Sequence, residues 1–291
     1  MKIDGKTKIV GIFGYPLAHS LSPHLHNAAF DELALDFVYL PFWVQSKNLE
    51  VAVRAIRSLN MVGVNVTIPH KERIMAYLDE VAPDARMMGA VNTVLNRKGK
   101  LIGYNTDGQG FIDSLEGEGE LNPNGKRVML LGAGGAARAI SSVLIQEGIA
   151  SLTIVNRTQR RGEELVHHLK RIFKNRCPID FLEFDKRNLE GRLREINLFV
   201  NATSVGLNPE GNLLINLDLF SPGTFIHDIV YNRKTELLEA AEQRGLPYLG
   251  GLGMLMRQAA LSFEIWTDRK APIQKMRDTA EKELGMKKRR T

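Results

Sequence analysis

Cysteine is nearly missing from this chain of 291 residues, where Cys177 stands alone. A single thiol gives no disulfide framework and no Cys-based zinc site. No apolar run approaches the roughly 18 residues that a membrane-spanning helix needs. The opening residues, MKIDGKTKIVG, lack the apolar core of a secretion signal. Together these absences predict a cytoplasmic protein with no membrane segment. The formal net charge is +6, yet it is not gathered into one basic face. No nucleic-acid motif and no basic stripe interleaved with aromatics is present, so nucleic acid is not an expected partner. Residues 287–290, KKRR, read as a frayed tail. The positive charge suits a phosphorylated cofactor and an acidic small molecule better. Internal repeats and low-complexity segments are also lacking.

What is present begins with 44% hydrophobic residues, enough for full cores, at a length that favours two domains. The organising stretch is 126–158, KRVMLLGAGGAARAISSVLIQEGIASLTIVNRT. Its apolar run at 128–131 has the pattern of a strand buried on both faces of a parallel sheet. Gly132, Ala133, Gly134, Gly135, Ala136 and Ala137 follow at once and fit G-x-G-x-x-G/A. Apolar residues then recur at helical spacing over 136–146, Gly148 stops that helix, and 152–155 is a second apolar run. A glycine turn inside a βαβ unit predicts a dinucleotide site. Gly132 permits the tight turn and Gly134 lets the backbone approach a pyrophosphate. The helix N-terminus offers N–H groups and a positive dipole end. The plainer reading is a buried strand and helix joined by an ordinary glycine turn.

The end of the second strand refines the cofactor. An NAD site carries Asp or Glu there for the ribose 2′-hydroxyl, but Asn156, Arg157 and Thr158 occupy this position. No carboxylate repels a 2′-phosphate, and a guanidinium can grip one. NADP(H) is therefore expected over NAD(H). The alternative for Arg157, as for Arg160 and Arg161, is a solvated loop charge.

Strands alternating with helices indicate an α/β architecture. Strands are expected at 8–14, 37–42 and 62–68, with a hairpin-like pair at 90–95 and 101–104 turning across 96–99. A helix with Pro23 in its first turn and Ser22 as N-cap runs to about Leu33. Others are expected at 48–59, with Leu49, Val53 and Ile56 on one face, and at 72–81. Beyond 158, helices are expected at 160–173, 189–196 and 235–244, and strands around 181–184, 198–201 and 225–230. Gly250, Gly251, Leu252 and Gly253 read as a flexible joint before helices at 254–266 and 272–285. The strands from Val128 onward make one Rossmann sheet. The helices after Gly253 exceed its needs and are expected to pack back on the first domain. The predicted fold is thus an N-terminal α/β domain, 1–107 plus 254–291, and a C-terminal Rossmann domain, a doubly wound parallel sheet, over 108–253.

A nicotinamide site needs a ketone or alcohol beside it and a group that gives or takes a proton. Polar residues gather at strand ends and loops of the first domain: Ser20, Ser22, Asn65, Thr67, Lys71, Asn92, Thr93, Asn105, Thr106 and Asp107. In parallel sheets, ligands bind outside the carboxyl ends of strands, and both Lys71 and Asp107 follow strands that way. A lysine near a substrate oxygen can act as general acid–base, with an adjacent aspartate to hold it. Blander roles exist for each. Ser22 can be a helix cap, Lys71 a surface charge at a helix start, and Asp107 a turn cap beside Gly108. No cluster has metal-ligand spacing, and His19, His24, His26 and His70 are read as solvated or capping.

In order along the chain, SLSP (20–23), NVTIPHK (65–71), GAVNT (89–93), NTDG (105–108), GAGGAA (132–137), NRT (156–158), NATSVG (201–206) and GLGMLMRQA (251–259) resemble the signature blocks of shikimate dehydrogenase. The resemblance spans nearly the whole chain. It implies reversible reduction of 3-dehydroshikimate to shikimate by NADPH, in aromatic amino-acid biosynthesis, without a metal. It also implies a substrate domain, a Rossmann domain and C-terminal helices returning to the first. By this resemblance Lys71 and Asp107 match the catalytic pair. Ser20, Ser22, Thr67, Lys71, Asn92, Asp107, Tyr231 and Gln258 match substrate contacts. Gly132, Ala133, Gly134, Gly135 and Ala136 match the pyrophosphate loop, and Asn156, Arg157 and Thr158 the adenosine-phosphate clamp. Thr203, Ile229 and Gly251 fall near the nicotinamide, with Ile229 where many members carry Met. The implied partners are small molecules, and the chain is a monomer or homodimer. One rival is an NAD-dependent quinate/shikimate dehydrogenase, which an acid at Asn156 would have favoured. The other is a non-catalytic NADP(H)-sensing regulator, against which Lys71 and Asp107 together argue.

Overall fold

A computed structural model of the chain describes residues 3–207 and 215–286. The basic run at 287–290 lies outside them. The chain divides into two compact units, Met1–Gly110 with Met256–Thr291, and Phe111–Leu255.

The first unit opens with β1 (Lys8–Gly14), α1 (Ser22–Glu32), β2 (Phe37–Trp43), α2 (Leu49–Ser58) and β3 (Gly63–Val66). It continues with β4 (Glu80–Val81), α3 (Pro83–Met88), β5 (Thr93–Arg97) and β6 (Lys100–Tyr104). These strands form one sheet in the order β2-β1-β3-β5-β6-β4. Strand β1 runs parallel to β2 and β3, while β5 is antiparallel to both β3 and β6. The carboxyl ends of β1, β2, β3 and β6 therefore share one edge with the amino end of β5. Backbone bonds tie that edge: Thr67 N to Phe13 O, Tyr15 N to Ile68 O, and Asn92 N to Tyr104 O, at 2.9, 2.9 and 3.0 Å. Behind it, α2 buries Leu49, Val53 and Ile56 against Val64, Val66 and Ile74. Strands β5 and β6 meet at a two-residue turn, where Lys98 and Gly99 both hold positive φ, 53° and 90°. Paired positive φ is what a tight hairpin loop requires.

The second unit repeats strand and helix: β7 (Arg127–Leu131), α5 (Gly135–Gln146), β8 (Ser151–Asn156), α6 (Gln159–Phe173), β9 (Ile179–Glu183), α7 (Lys186–Leu193), β10 (Leu198–Asn201), β11 (Phe225–Asp228), α8 (Glu236–Gln243) and β12 (Tyr248–Gly250). All its pairings are parallel, in the order β12-β11-β10-β7-β8-β9. This is the doubly wound arrangement, with its order reversing between β7 and β10. Met129, Leu131, Phe199 and Ile226 fill the core on one face of that sheet, against Leu237 and Leu238 of α8.

The closing helices α9 (Leu252–Thr267) and α10 (Ile273–Glu283) return to the first unit. Helix α10 lies on α1, and Trp266 of α9 donates its indole N–H to Val94 O at 3.0 Å. No helix among the described residues is long and apolar enough to cross a membrane.

Several local expectations are corrected. Residues 72–81 form no α-helix: a 3₁₀ turn at Arg73–Tyr77 leads towards β4, and just before that strand Asp79 accepts Leu101 N at 2.6 Å and Arg57 at 2.7 Å. Helix α3 was signalled by Pro83 at its start and Gly89 at its end, φ 70°, but six residues show too little periodicity to be read. Ser22 is the first helical residue, and Leu21 takes the N-cap position without a side-chain bond. A further helix, α4 (Asp107–Gly117), is disguised by glycine, the poorest helix former after proline. At Gly110 the glycine has a reason, because a Cβ would meet Gln258 N at 2.8 Å. The run at 250–253 is not a loop of its own but joins two regular elements directly. Gly250 ends β12, Leu252 opens α9, and a Cβ on Gly251 would overlap Ile229 O. Among the histidines, His26 is buried and stacked on Tyr39, centroids 4.5 Å apart, and His70 bonds Val44 O at 2.6 Å through Nε2. Neither is solvated or capping.

Candidate active site

The shared edge of the first sheet gathers the predicted polar residues. Lys71 lies beyond the end of β3 and Asp107 beyond the end of β6. Lys71 Nζ donates to Asp107 Oδ2 at 2.6 Å, with side chains 15% and 6% exposed. Asn92, just before β5, donates from Nδ2 to Asp107 Oδ1 at 2.9 Å, to Thr106 Oγ1 at 2.8 Å and to Gln258 Oε1 at 3.3 Å. Its Oδ1 accepts Thr106 N at 2.8 Å and the Thr93 hydroxyl at 2.9 Å. Asn105 Oδ1 accepts the Asp107 N–H at 3.0 Å and so fixes the start of α4. Both carboxylate oxygens are thus committed and directional.

A second layer holds the first. Asn65 donates to Thr93 Oγ1 at 3.1 Å and Ser262 Oγ at 3.0 Å, and accepts from the Tyr39 hydroxyl at 2.8 Å. Ser262 was not singled out from sequence. Its signal is a polar residue four after Gln258 on an apolar helix, which puts both on one face. In contrast, the hydroxyls of Ser20, Ser22 and Thr67 make no hydrogen bond among the described residues, although Ser22 is buried. Ser20 and Ser22 follow β1 and Thr67 follows β3, so all three belong to the same sheet edge. Such hydroxyls are available to a ligand.

Tyr231 belongs to the second unit, just beyond β11. There the turn from β7 to α5 has the features a dinucleotide needs. Gly132 holds φ 118°, and a Cβ would come within 2.9 Å of Ala202 O. A Cβ on Gly134 would face open space, so its smallness serves an approach from outside and not internal packing. Gly135 opens α5, with Ala136 in its first turn, where N–H groups have no intrahelical acceptor. Past β8, Asn156 Nδ2 donates to Thr158 O at 2.8 Å and shapes the turn into α6. Arg157 is exposed without an ion-pair partner among the described residues, whereas Arg160 is taken by Glu164 at 2.8 Å. These residues fit a phosphorylated dinucleotide.

Beyond β10, Thr203 donates from Oγ1 and N to Asn201 Oδ1 at 2.7 and 3.1 Å. Asn201 in turn donates to Asp228 Oδ1 at 3.0 Å. Asp228 ends β11, is fully buried, and also accepts the Thr235 hydroxyl at 2.7 Å. Burial pushes its carboxyl up to about 6, outweighing the bonds from Thr235, Val230 and Asn201 that pull it down. It falls inside the strand expected at 225–230, and no local signal marks it there. No group of three or more His, Cys, Asp or Glu among the described residues is arranged to hold a metal ion.

A doubly wound sheet with a glycine turn at its first strand, in a chain that also carries a buried lysine–carboxylate pair, defines a dinucleotide-binding oxidoreductase. Family models sharpen that class. The shikimate dehydrogenase substrate binding domain matches residues 12–94, the shikimate/quinate 5-dehydrogenase model 117–206, and the shikimate 5′-dehydrogenase C-terminal domain 251–281. A shikimate dehydrogenase (NADP(+)) of Desulforamulus reducens is 43% identical over 287 residues, covering 98% of each chain. The crystal structure of a shikimate dehydrogenase in complex with NADP⁺ has a TM-score of 0.88 at 36% identity, over 97% of this chain and 98% of that one. Shikimate 5-dehydrogenase from Listeria monocytogenes, in complex with shikimate and NAD, gives 0.85 at 39%, over 96% and 98%. The chain belongs to the shikimate dehydrogenase family.

Proposed function

We propose that this chain catalyses the NADP-dependent, reversible reduction of 3-dehydroshikimate to shikimate, with Lys71 and Asp107 as its catalytic pair. The observation that carries the assignment of residues is the 2.6 Å contact between Lys71 and Asp107 at a sheet edge, beside three hydroxyls with no internal partner. Residues 1–107 with 254–291 bind the substrate, and 108–253 bind the cofactor. NADPH, once bound, supplies hydride to the carbonyl carbon. Lys71 Nζ donates to the carbonyl oxygen, where negative charge develops, and passes a proton there. Asp107 holds the ammonium through Oδ2 and accepts from a ring hydroxyl. In the reverse direction Lys71 takes the proton from the shikimate hydroxyl. Asn92 and Gln258 complete the polar wall, with Tyr231 as a further substrate contact. Ser20, Ser22 and Thr67 offer donors to the carboxylate and hydroxyls of the ring.

The cofactor assignment rests on this chain's own residues, since a relative was crystallised with NAD. Gly132, Ala133, Gly134, Gly135 and Ala136 would hold the pyrophosphate. Asn156, Arg157 and Thr158 would hold the adenosine 2′-phosphate, a charge that nothing at this position repels. Thr203, Ile229 and Gly251 would border the nicotinamide. A kinetic comparison of shikimate and quinate with NADP and NAD, followed by NADPH absorbance, tests the reading. Shikimate with NADP should give by far the largest kcat/KM. Dominance of quinate with NAD would replace it by the rival dehydrogenase, and no turnover in any combination would leave a cofactor-binding regulator.

A further inference from the structure

The end of β10 and the segment after β11 meet at one buried carboxylate, and the segment after β12 joins them through Val230. Asp228 Oδ1 accepts Asn201 Nδ2 and Val230 N, both at 3.0 Å, and Oδ2 accepts Thr235 Oγ1 at 2.7 Å. Through Asn201 the first bond reaches Thr203 in the segment after β10. Val230 anchors the segment after β11, whose Ile229 N also donates to Asn201 O at 3.1 Å. Gly251, after β12, donates its N–H to Val230 O at 3.0 Å, and its Cα packs so closely on Ile229 that a Cβ would overlap the carbonyl. Thr203, Ile229 and Gly251 are therefore all fixed, directly or at one remove, by Asp228.

The chemistry of this centre is wasteful if stability were its only purpose. The carboxylate has no cation partner among the described residues and is fully buried, with neutral donors alone around it. An uncompensated buried charge is costly, and apolar packing of the same volume commonly stabilises a fold better. What a carboxylate provides is two strong acceptors in one rigid plane, here fixing the end of β10 and two points of the segment after β11 at once. These loops stand at the carboxyl end of a doubly wound sheet, where such folds bind their ligands.

We propose that Asp228 is a positioning residue that holds Thr203, Ile229 and Gly251 in the arrangement that orients the nicotinamide end of the cofactor. The proposal rests on the cofactor assignment above. It separates the roles of two ends of one ligand: Gly132 to Ala136 and Arg157 hold phosphates without Asp228, while Asp228 governs the reacting ring.

The test uses Asp228→Asn, which keeps the size but removes one anionic acceptor. Three readouts are compared with the unaltered protein: the Kd of 2′-phospho-ADP-ribose, which lacks nicotinamide; the nicotinamide emission of bound NADPH; and the single-turnover rate of NADPH oxidation by 3-dehydroshikimate. The proposal expects the first unchanged within twofold, the second shifted towards that of free NADPH, and the third slowed at least tenfold. Emission and rate like the unaltered protein would overturn it, and so would a parallel loss of 2′-phospho-ADP-ribose binding, which marks general disruption of the unit. Should Asp228→Asn not fold, Thr235→Val removes only one of the bonds to the carboxylate and must show the same pattern with about threefold slowing. Thr235→Val without effect on emission or rate would then overturn the proposal. Unaltered protein that binds NADPH and turns over while both variants behave normally refutes Asp228 alone. Unaltered protein that neither binds NADPH nor turns over refutes the cofactor reading and this proposal with it.

Discussion

Lys71 and Asp107 are 36 positions apart and meet at 2.6 Å. The contact joins the segment after β3 to the one after β6, across the strand β5 that runs between them in the opposite direction. A buried ion pair of this kind adds little to stability, because removing two charges from water costs about as much as their attraction returns. Its placement at the sheet edge is better explained by chemistry. The proposed reaction needs a donor and an acceptor held ready for a substrate oxygen, and Asn92 fixes the other carboxylate oxygen.

The cofactor preference can be tested at Arg157. The side chain is exposed and unpaired among the described residues, so Arg157→Ala should leave stability within about 0.5 kcal/mol of the unaltered protein. Loss of a charge-assisted contact to the 2′-phosphate is expected to weaken NADP binding by about 1.5–3 kcal/mol, roughly 10- to 100-fold. Binding of NAD should scarcely change. Equal losses for both cofactors would remove Arg157 from the site.

Ser20 and Ser22 give a prediction that the structure makes cleaner. Because neither hydroxyl bonds within the described residues and Ser22 is not the cap of α1, alanine at either position should leave the melting temperature nearly unchanged. KM for shikimate should rise by about fivefold, the value of roughly 1 kcal/mol for one buried bond. Unmoved KM in both variants would exclude the loop after β1 from substrate binding.

Stability should fall in mild acid, for reasons lodged in three buried groups. Burial lowers His26 and His227 to about 3, while it raises Asp228 to about 6. Each histidine is neutral when folded but takes a proton when unfolded below its ordinary value near 6.5, so each costs stability as pH falls through that value. Asp228 works the other way. Its folded carboxyl binds a proton below about 6, before the unfolded one does, which adds stability on the way down. At pH 5 the histidines together cost about 4 kcal/mol and Asp228 returns about 1.4 kcal/mol, leaving a net loss of roughly 2–3 kcal/mol. Urea midpoints at pH 7.5 and pH 5 measure this. Since His26 stacks face to face on Tyr39, His26→Phe should keep the packing and lose much of the acid sensitivity of the first unit. A variant as acid-sensitive as the unaltered protein would show that His26 does not titrate with unfolding.

How much of this was legible in the sequence depended on whether a feature is local. The β7–α5–β8 unit was readable because strand, glycine turn and helix are contiguous, and each constrains the next. Lys71 and Asp107 were readable as residues that follow strands, and the ordered family blocks raised them above their plainer roles. Their pairing was expected from the family blocks and not from periodicity, because the contact depends on β5 reversing between β3 and β6. The helix α4 was hidden because its glycines answer to packing: Gly110 yields to Gln258, which is far away in sequence. Residues 72–81 misled because apolar spacing exists there, while the Asp79 bonds to Leu101 and Arg57 decide the backbone. Asp228 went unseen because nothing local distinguishes a carboxylate that will be buried among neutral donors from one at an ordinary strand end.

The pair itself yields the sharpest prediction, because its roles in stability and in chemistry can be pulled apart. In the proposed reaction Lys71 donates to an oxygen whose charge grows as hydride arrives, so its contribution would be largest in the transition state. Lys71→Ala should therefore lower kcat by roughly 10²-fold or more, with a much smaller change in KM. The same substitution leaves the Asp107 carboxylate buried, with only neutral partners such as Asn92, and should destabilise the fold by about 1–3 kcal/mol. Asp107→Asn should impair both kcat and KM, since Asp107 is assigned to the substrate as well as to Lys71. The double variant, Lys71→Ala with Asp107→Asn, buries no charge at all. It should regain much of the stability lost by Lys71→Ala, since removing both partners is far cheaper than removing one, while remaining as inactive as either parent. Urea unfolding and steady-state kinetics on the same three proteins separate the two effects. A folded Lys71→Ala protein that binds NADPH and keeps near-normal kcat would remove Lys71 from the mechanism, whatever the double variant's stability.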